Sequence, residues 1–130
     1  MSNPAKSVFA FGIYELILGV GLMTTPNPLL AFFGFPCTNE VWIRVIGVLL
    51  CFFAFYDFMA ARHELTDYFR WTVYARSSVI FFFTALVLAG FAIPTLILFG
   101  VVDLLGAFWT AIALRSSKFS EHHQKHNLST

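Results

Sequence analysis

Five ionisable side chains, Glu15, Arg44, Asp57, Arg76 and Asp103, stand inside the long apolar runs of a 130-residue chain. A charge placed in hydrocarbon costs roughly 2.5 to 3.5 kcal/mol on insertion scales, so each must face protein or water, find a partner, or lose its charge. Carboxylates and guanidinium groups held away from water either tie helices together as ion pairs or line a site that handles a proton or the polar end of a ligand.

Depth decides which of them can meet, because a helix rises ~1.5 Å per residue. Counted from the ends of their apolar runs, Asp57 and Arg76 lie at matching depth on the second and third runs, which a short connection joins as antiparallel neighbours. The sequence predicts an Asp57 to Arg76 ion pair with a structural role in helix register. Glu15 and Asp103 sit near mid-bilayer on the first and fourth runs. If they are close in a dry site, both cannot stay ionised, and the pair suits carrying a proton or hydrogen-bonding a ligand group. Tyr14, Tyr56 and Tyr74 are the candidate donors to them. Arg44, about one turn from the outer end of the second run, either snorkels outward or points toward the carboxylates. Glu15, Asp103, Arg44 and Tyr14 form the candidate ligand or proton site.

These residues need helices that cross a bilayer. The composition, 58% hydrophobic, 18% aromatic and 12% charged, is far more apolar than a soluble domain supports. Apolar runs over 8–25, 41–61, 71–91 and 94–114 are each long enough to span, since a crossing helix needs about 20 residues. They are continuously apolar and lack the alternation of spanning strands. The predicted fold is an all-α integral membrane four-helix bundle in one domain, with a tail over 115–130. The first run has Lys6 before it, but its central Glu15 and the lack of a small-x-small cleavage site after Thr25 make it a span rather than a signal peptide.

Orientation follows from the loop cations. Lys6, Arg62, Arg70, Arg115, Lys118 and Lys125 all fall on one side, and the other connections contain no Lys or Arg. Both termini are therefore expected in the cytoplasm, in a bacterial inner membrane. Residues 26–36, PNPLLAFFGFP, are too apolar for a solvated linker and too short to cross, which predicts an interfacial or re-entrant segment over the outer mouth. Pro94 suits the start of the fourth helix.

Small residues recur at three- and four-residue spacing beside two of the acids: Gly12, Glu15 and Gly19 in the first span, and Gly100, Asp103, Gly106, Ala107 and Thr110 in the fourth. Such stripes mark close helix interfaces in membranes, so Glu15 and Asp103 are expected to point inward. Cys37 and Cys51 lie at different depths and read as free small hydrophobes. His122, His123 and His126 have a spacing that a helical tail could turn into a metal pair, but a polar, mobile tail is the expectation, with no metal site. His63, beside Arg62, reads as an interfacial side chain. The basic residues mark one membrane face and do not suggest nucleic-acid binding.

The segments VWIRVIGVLL (41–50), FYDFMAARHELTDYFRWTVYARS (55–77) and LFGVVDLLGAFWTAIALR (98–115) resemble small four-span bacterial membrane proteins grouped with the DoxX-like and BphX-like families. That resemblance implies a four-helix membrane bundle, sometimes encoded beside oxidative or catabolic enzymes, with no catalytic residues to carry over and no cofactor identified.

Three function classes follow. The leading one is a non-catalytic membrane module that binds a small lipophilic molecule or a membrane protein partner, with some of the 17 Phe lining a cavity in the bundle. The small-residue faces also permit a homo-oligomer. A proton-coupled carrier using Glu15 is the first alternative, since small multidrug exporters share four short helices and a glutamate in the first. A membrane enzyme acting on a lipophilic substrate is the second, without a nucleophile elbow, metal set or phosphate loop to support it.

Overall fold

The computed structural model describes residues 1–129, with side chains described for residues 1–116. Five helices follow one another: α1 (Asn3–Thr24), α2 (Pro26–Phe32), α3 (Trp42–Arg62), α4 (Thr66–Leu88) and α5 (Thr95–Ser129). Four are long and apolar enough to cross a membrane, α5 through its Thr95–Ser116 part. The chain is a multi-pass helical membrane protein. The tail continues α5 as helix, and the histidines His122, His123 and His126 lie outside the described side chains.

Local chemistry sets the helix ends. Ser2 caps α1 by accepting a hydrogen bond from the Ala5 amide at 3.2 Å, and Pro4 occupies the first turn, where its missing N–H costs nothing. The helix therefore starts five residues before the apolar run. α2, α3 and α4 all stop in the same way, with a left-handed residue and two backbone bonds reaching back into the last turn. Gly34 (φ 80°) and Gly90 (φ 84°) take that position after α2 and α4, with Phe35 N–H donating to Leu30 and Phe91 N–H to Leu86.

After α3 the left-handed residue is Glu64, at φ 53°, a conformation that disfavours a residue with a Cβ. Its carboxylate is held in return by Ser2, whose amide donates at 2.7 Å and whose hydroxyl donates at 2.5 Å. Those two bonds hold the Glu64 carboxyl below the usual carboxylate range. A depressed carboxyl contributes stability above its unfolded value of about 4.3, and that contribution disappears as pH falls through the folded value. Protection of the first-turn amides of α1, taken relative to the intrinsic exchange rate at each pH, is therefore expected to fall below about pH 4 while the mid-helix amides hold, and Glu64→Gln should show the lower protection already at neutral pH.

The four long helices form an antiparallel ring in which α1 packs along α3, α4 along α5, and α1 along α5. Glycine makes each close approach possible, because in a membrane small residues let backbones meet. A Cβ on Gly19 would lie 2.8 Å from the Gly47 carbonyl on α3, one on Gly106 would lie 2.8 Å from the Phe11 ring on α1, and one on Gly100 would lie 3.0 Å from Ile80 on α4. Between α3 and α4 no glycine brings the backbones together. These antiparallel neighbours share a three-residue connection and meet through side chains, Asp57 with Tyr68 and Arg76, with few close backbone approaches.

One end of the ring is closed. Ala5, Val8, Ala60, Ala61 and Phe69 form a buried core near the termini, with Phe9, Tyr68 and Leu114 packed on it, and Ser7 and Thr110 share a buried hydrogen bond of 2.8 Å between α1 and α5. The other end carries α2, which Pro26 and Pro28 start at once after α1.

Candidate ligand site

Arg76 organises the closed end of the gap between α3 and α4. Side chains tilt toward the N-terminus of their helix, so Arg76 on α4 leans toward the closed end while Asp57 on α3 leans away from it, and the two converge across the gap. Arg76 Nη2 donates to Asp57 Oδ2 at 2.7 Å, and Glu15 Oε1 of α1 stands 3.8 Å from the same nitrogen. The guanidinium also lies over the Phe11 ring, 3.7 Å from its centroid, within the range of a cation–π contact. Tyr68 completes the cluster, its hydroxyl donating to Asp57 Oδ1 at 2.6 Å. Asp57 thus has both oxygens engaged, by Tyr68 and Arg76.

Glu15 differs. Its Oε2 is buried and, like Arg76 Nη1, has no hydrogen-bond partner among the described residues, and its side chain is 10% exposed. It borders a cavity of about 460 Å³ that fills the ring between Arg76 and α2. Tyr14 and Asp103 border the same cavity. Its other walls are almost wholly carbon: Leu18 and Leu22 from α1, Ile46, Leu50 and Phe53 from α3, and Val79, Phe83, Leu96 and Phe99 from α4 and α5. The α2 segment closes the far end with Leu29, Leu30, Phe33 and Phe35, and Phe33 meets Phe99 edge-on at 4.9 Å between centroids. The expected interfacial segment is a short helix whose apolar side chains roof a cavity.

The side of the ring between α3 and α4 is the loosest: beyond the contacts of Asp57 with Tyr68 and Arg76 at the closed end the two backbones make few close approaches, and the α3 wall residues Ile46 and Phe53 are 47% and 51% exposed. The site has an apolar body, an aromatic roof and, at its floor, the carboxyl groups of Glu15 and Asp103.

The residues singled out from sequence divide into three groups. Asp57 and Arg76 are in contact. Glu15 meets Arg76 rather than Asp103: the two acids share a cavity, and no hydrogen bond joins them. Arg44 stands outside the candidate site, because its side chain leans with the helix toward the α2 end and Nη1 donates to the Met23 carbonyl in the last turn of α1, where carbonyls lack intrahelical partners. Tyr14 borders the cavity, whereas Tyr56 and Tyr74 are 55% and 75% exposed and serve neither acid. The tyrosine that matters is Tyr68, which lay outside the 71–91 run. Its place two turns before Arg76 was the available signal, since residues seven or eight apart fall on one side of a helix. Cys37 and Cys51 are free thiols.

The fold and site together define a small polytopic helical bundle with an apolar cavity between its helices. Neither protein-family models, nor curated proteins, nor solved structures give a match to the chain.

Proposed function

We propose that the protein is a non-catalytic module of a bacterial cytoplasmic membrane that takes up one small lipophilic molecule from the bilayer. The observation that carries this reading is the cavity itself: its volume of about 460 Å³ falls within the range of small-molecule sites, which combine apolar walls with a few convergent polar groups. Entry between α3 and α4 spares the ligand any passage through water. The DoxX-like and BphX-like resemblance of the sequence is compatible with such an accessory role beside other enzymes.

Native mass spectrometry of the protein extracted from its own membrane in mild detergent tests the reading. One retained apolar mass per chain is the expected result, and it should be lost when Val79→Trp fills the cavity. A bare protein would count against the ligand, and a stoichiometric second protein would support the partner alternative instead.

A second reading, a proton-coupled carrier, draws on Glu15, which borders the cavity and keeps one carboxyl oxygen buried and unpartnered. For that reading Glu15→Gln should leave the yield intact and abolish proton-driven uptake.

A further inference from the structure

We infer that the occupant of this cavity is a lipophilic alcohol, an uncharged molecule with one hydroxyl group on an apolar body. The inference rests on the reading of the cavity as a ligand site and adds the head group that the site recognises.

Three polar residues, Tyr14, Glu15 and Asp103, border the cavity, and its other walls are carbon. They form one polar floor, within electrostatic reach of one another. Glu15 offers a ligand little, because Oε1 stands 3.8 Å from Arg76 Nη2 and Oε2, like Arg76 Nη1, is sealed off from any surface. The Tyr14 hydroxyl and the Asp103 carboxyl are different. Both residues are only half-buried, neither group makes a hydrogen bond or ion pair among the described residues, and neither belongs to the sealed-off atoms. They are the polar groups that an occupant of the cavity can reach.

A hydroxyl matches this pair. It has one hydrogen to donate and two lone pairs with which to accept, so it can accept from the Tyr14 hydroxyl while donating to Asp103 as a carboxylate or accepting from it as an acid. Either proton state of Asp103 leaves the pair satisfied, which matters because an occupant shields both groups from water, and a buried polar group left unpaired is costly. An ether or ketone only accepts and would leave a carboxylate unpaired. A charged head group fits less well, since burying a charge is costly unless it is paired and hydrogen-bonded. An anion would find no cation, because neither Arg76 nor Arg44 borders the cavity and Arg44 is turned to the Met23 carbonyl. A cation would depend on Asp103 alone for its countercharge, Glu15 being shared with Arg76, and no ion pair among the described residues fixes a negative charge there. The hydroxyl needs no countercharge, and the carbon walls accommodate the rest of the molecule.

The test uses the full chain in zwitterionic lipid nanodiscs, with empty nanodiscs correcting for partition into lipid. Three radiolabelled probes of equal length are compared by equilibrium dialysis: an ω-phenylalkanol, the hydrocarbon in which a methyl group replaces its hydroxyl, and the matching trimethylammonium. The alcohol is expected to bind at least about tenfold more tightly than the hydrocarbon, a difference of about 1.4 kcal/mol, and more tightly than the ammonium. Tyr14→Phe with Asp103→Leu should erase the preference of the alcohol over the hydrocarbon, and a preference that survives in the folded double variant overturns the assignment of Tyr14 and Asp103. The wild-type ratio decides the head group even if the double variant fails to fold. Equal binding of alcohol and hydrocarbon overturns the hydroxyl and leaves the lipophile site standing. Tighter binding of the ammonium overturns the uncharged head group, and binding of no probe above empty nanodiscs overturns both the hydroxyl and the site.

Discussion

Removal of both carboxylates that face Arg76, by Asp57→Asn together with Glu15→Gln, is expected to destabilise the bundle by about 3 to 5 kcal/mol, the cost of stranding one partner of a buried ion pair. The guanidinium would keep its contact with Phe11 and lose every anionic neighbour on α1 and α3. Asp57→Asn alone should cost less, about 1.5 to 3 kcal/mol for a hydrogen bond to a charged group, because Glu15 Oε1 stands 3.8 Å from Nη2 and can close on it. Tyr68→Phe removes the 2.6 Å bond to Asp57 Oδ1 and belongs in the same range. Adding Arg76→Gln to the double variant should recover part of the loss, since an uncharged cluster has nothing to strand. Unfolding by SDS titration in mixed micelles measures all of these. If the double variant unfolds no more easily than the wild type, Arg76 has water or lipid head groups as an alternative, and the cluster does not hold the two helices in register.

The spans were legible in the sequence because a run of about 20 apolar residues permits little else, and the roofing role of residues 26–36 followed from their being too greasy for water and too short to cross. The helix starts were less legible. α1 begins at Asn3 through the Ser2 cap, and α4 at Thr66 through a polar first turn, neither of which carries hydropathy. That second boundary hid Tyr68. Counting residues along helices gave depth, and depth was sufficient for Asp57 and Arg76, which sit on helices joined by a short connection. It was insufficient for Glu15, whose direction around α1 is set by Gly12 and Gly19 pressing that face onto α3, beside Asp57 and Arg76. The cavity was legible only as a surplus of phenylalanine. Its cause is the uneven placement of glycine, which lets three sides of the ring close and leaves the α3/α4 side to Ile46, Phe53 and Phe83.

That cause makes Gly47 the position where the smallest added group should do the most harm. A Cβ there would stand 2.6 Å from the Gly19 carbonyl oxygen and 2.9 Å from the Met23 amide nitrogen, and a Cβ on Gly19 would meet the Gly47 carbonyl at 2.8 Å. The opposing atoms are backbone, which no rotamer change can move aside, so α1 and α3 must separate along their α2-side halves. Overpacking of this kind costs about 1 to 3 kcal/mol, and Gly47→Ala is expected near the top of that range, with Gly47→Val worse. The loss should not stop at stability. Leu18 and Leu22 of α1 and Ile46 and Leu50 of α3 border the cavity on either side of this contact, so separating the helices widens it and loosens its hold on any occupant. Gly21→Ala is the matched control, because its Cβ would meet only the tip of Leu29, at 3.0 Å, which can turn away. Gly47→Ala should lower the unfolding midpoint in mixed micelles and, on the proposed function, abolish retention of a lipophile, while Gly21→Ala should change neither by much. Equal behaviour of the two variants would mean that the α1/α3 contact yields freely, and that the shape of the cavity depends on something other than this glycine pair.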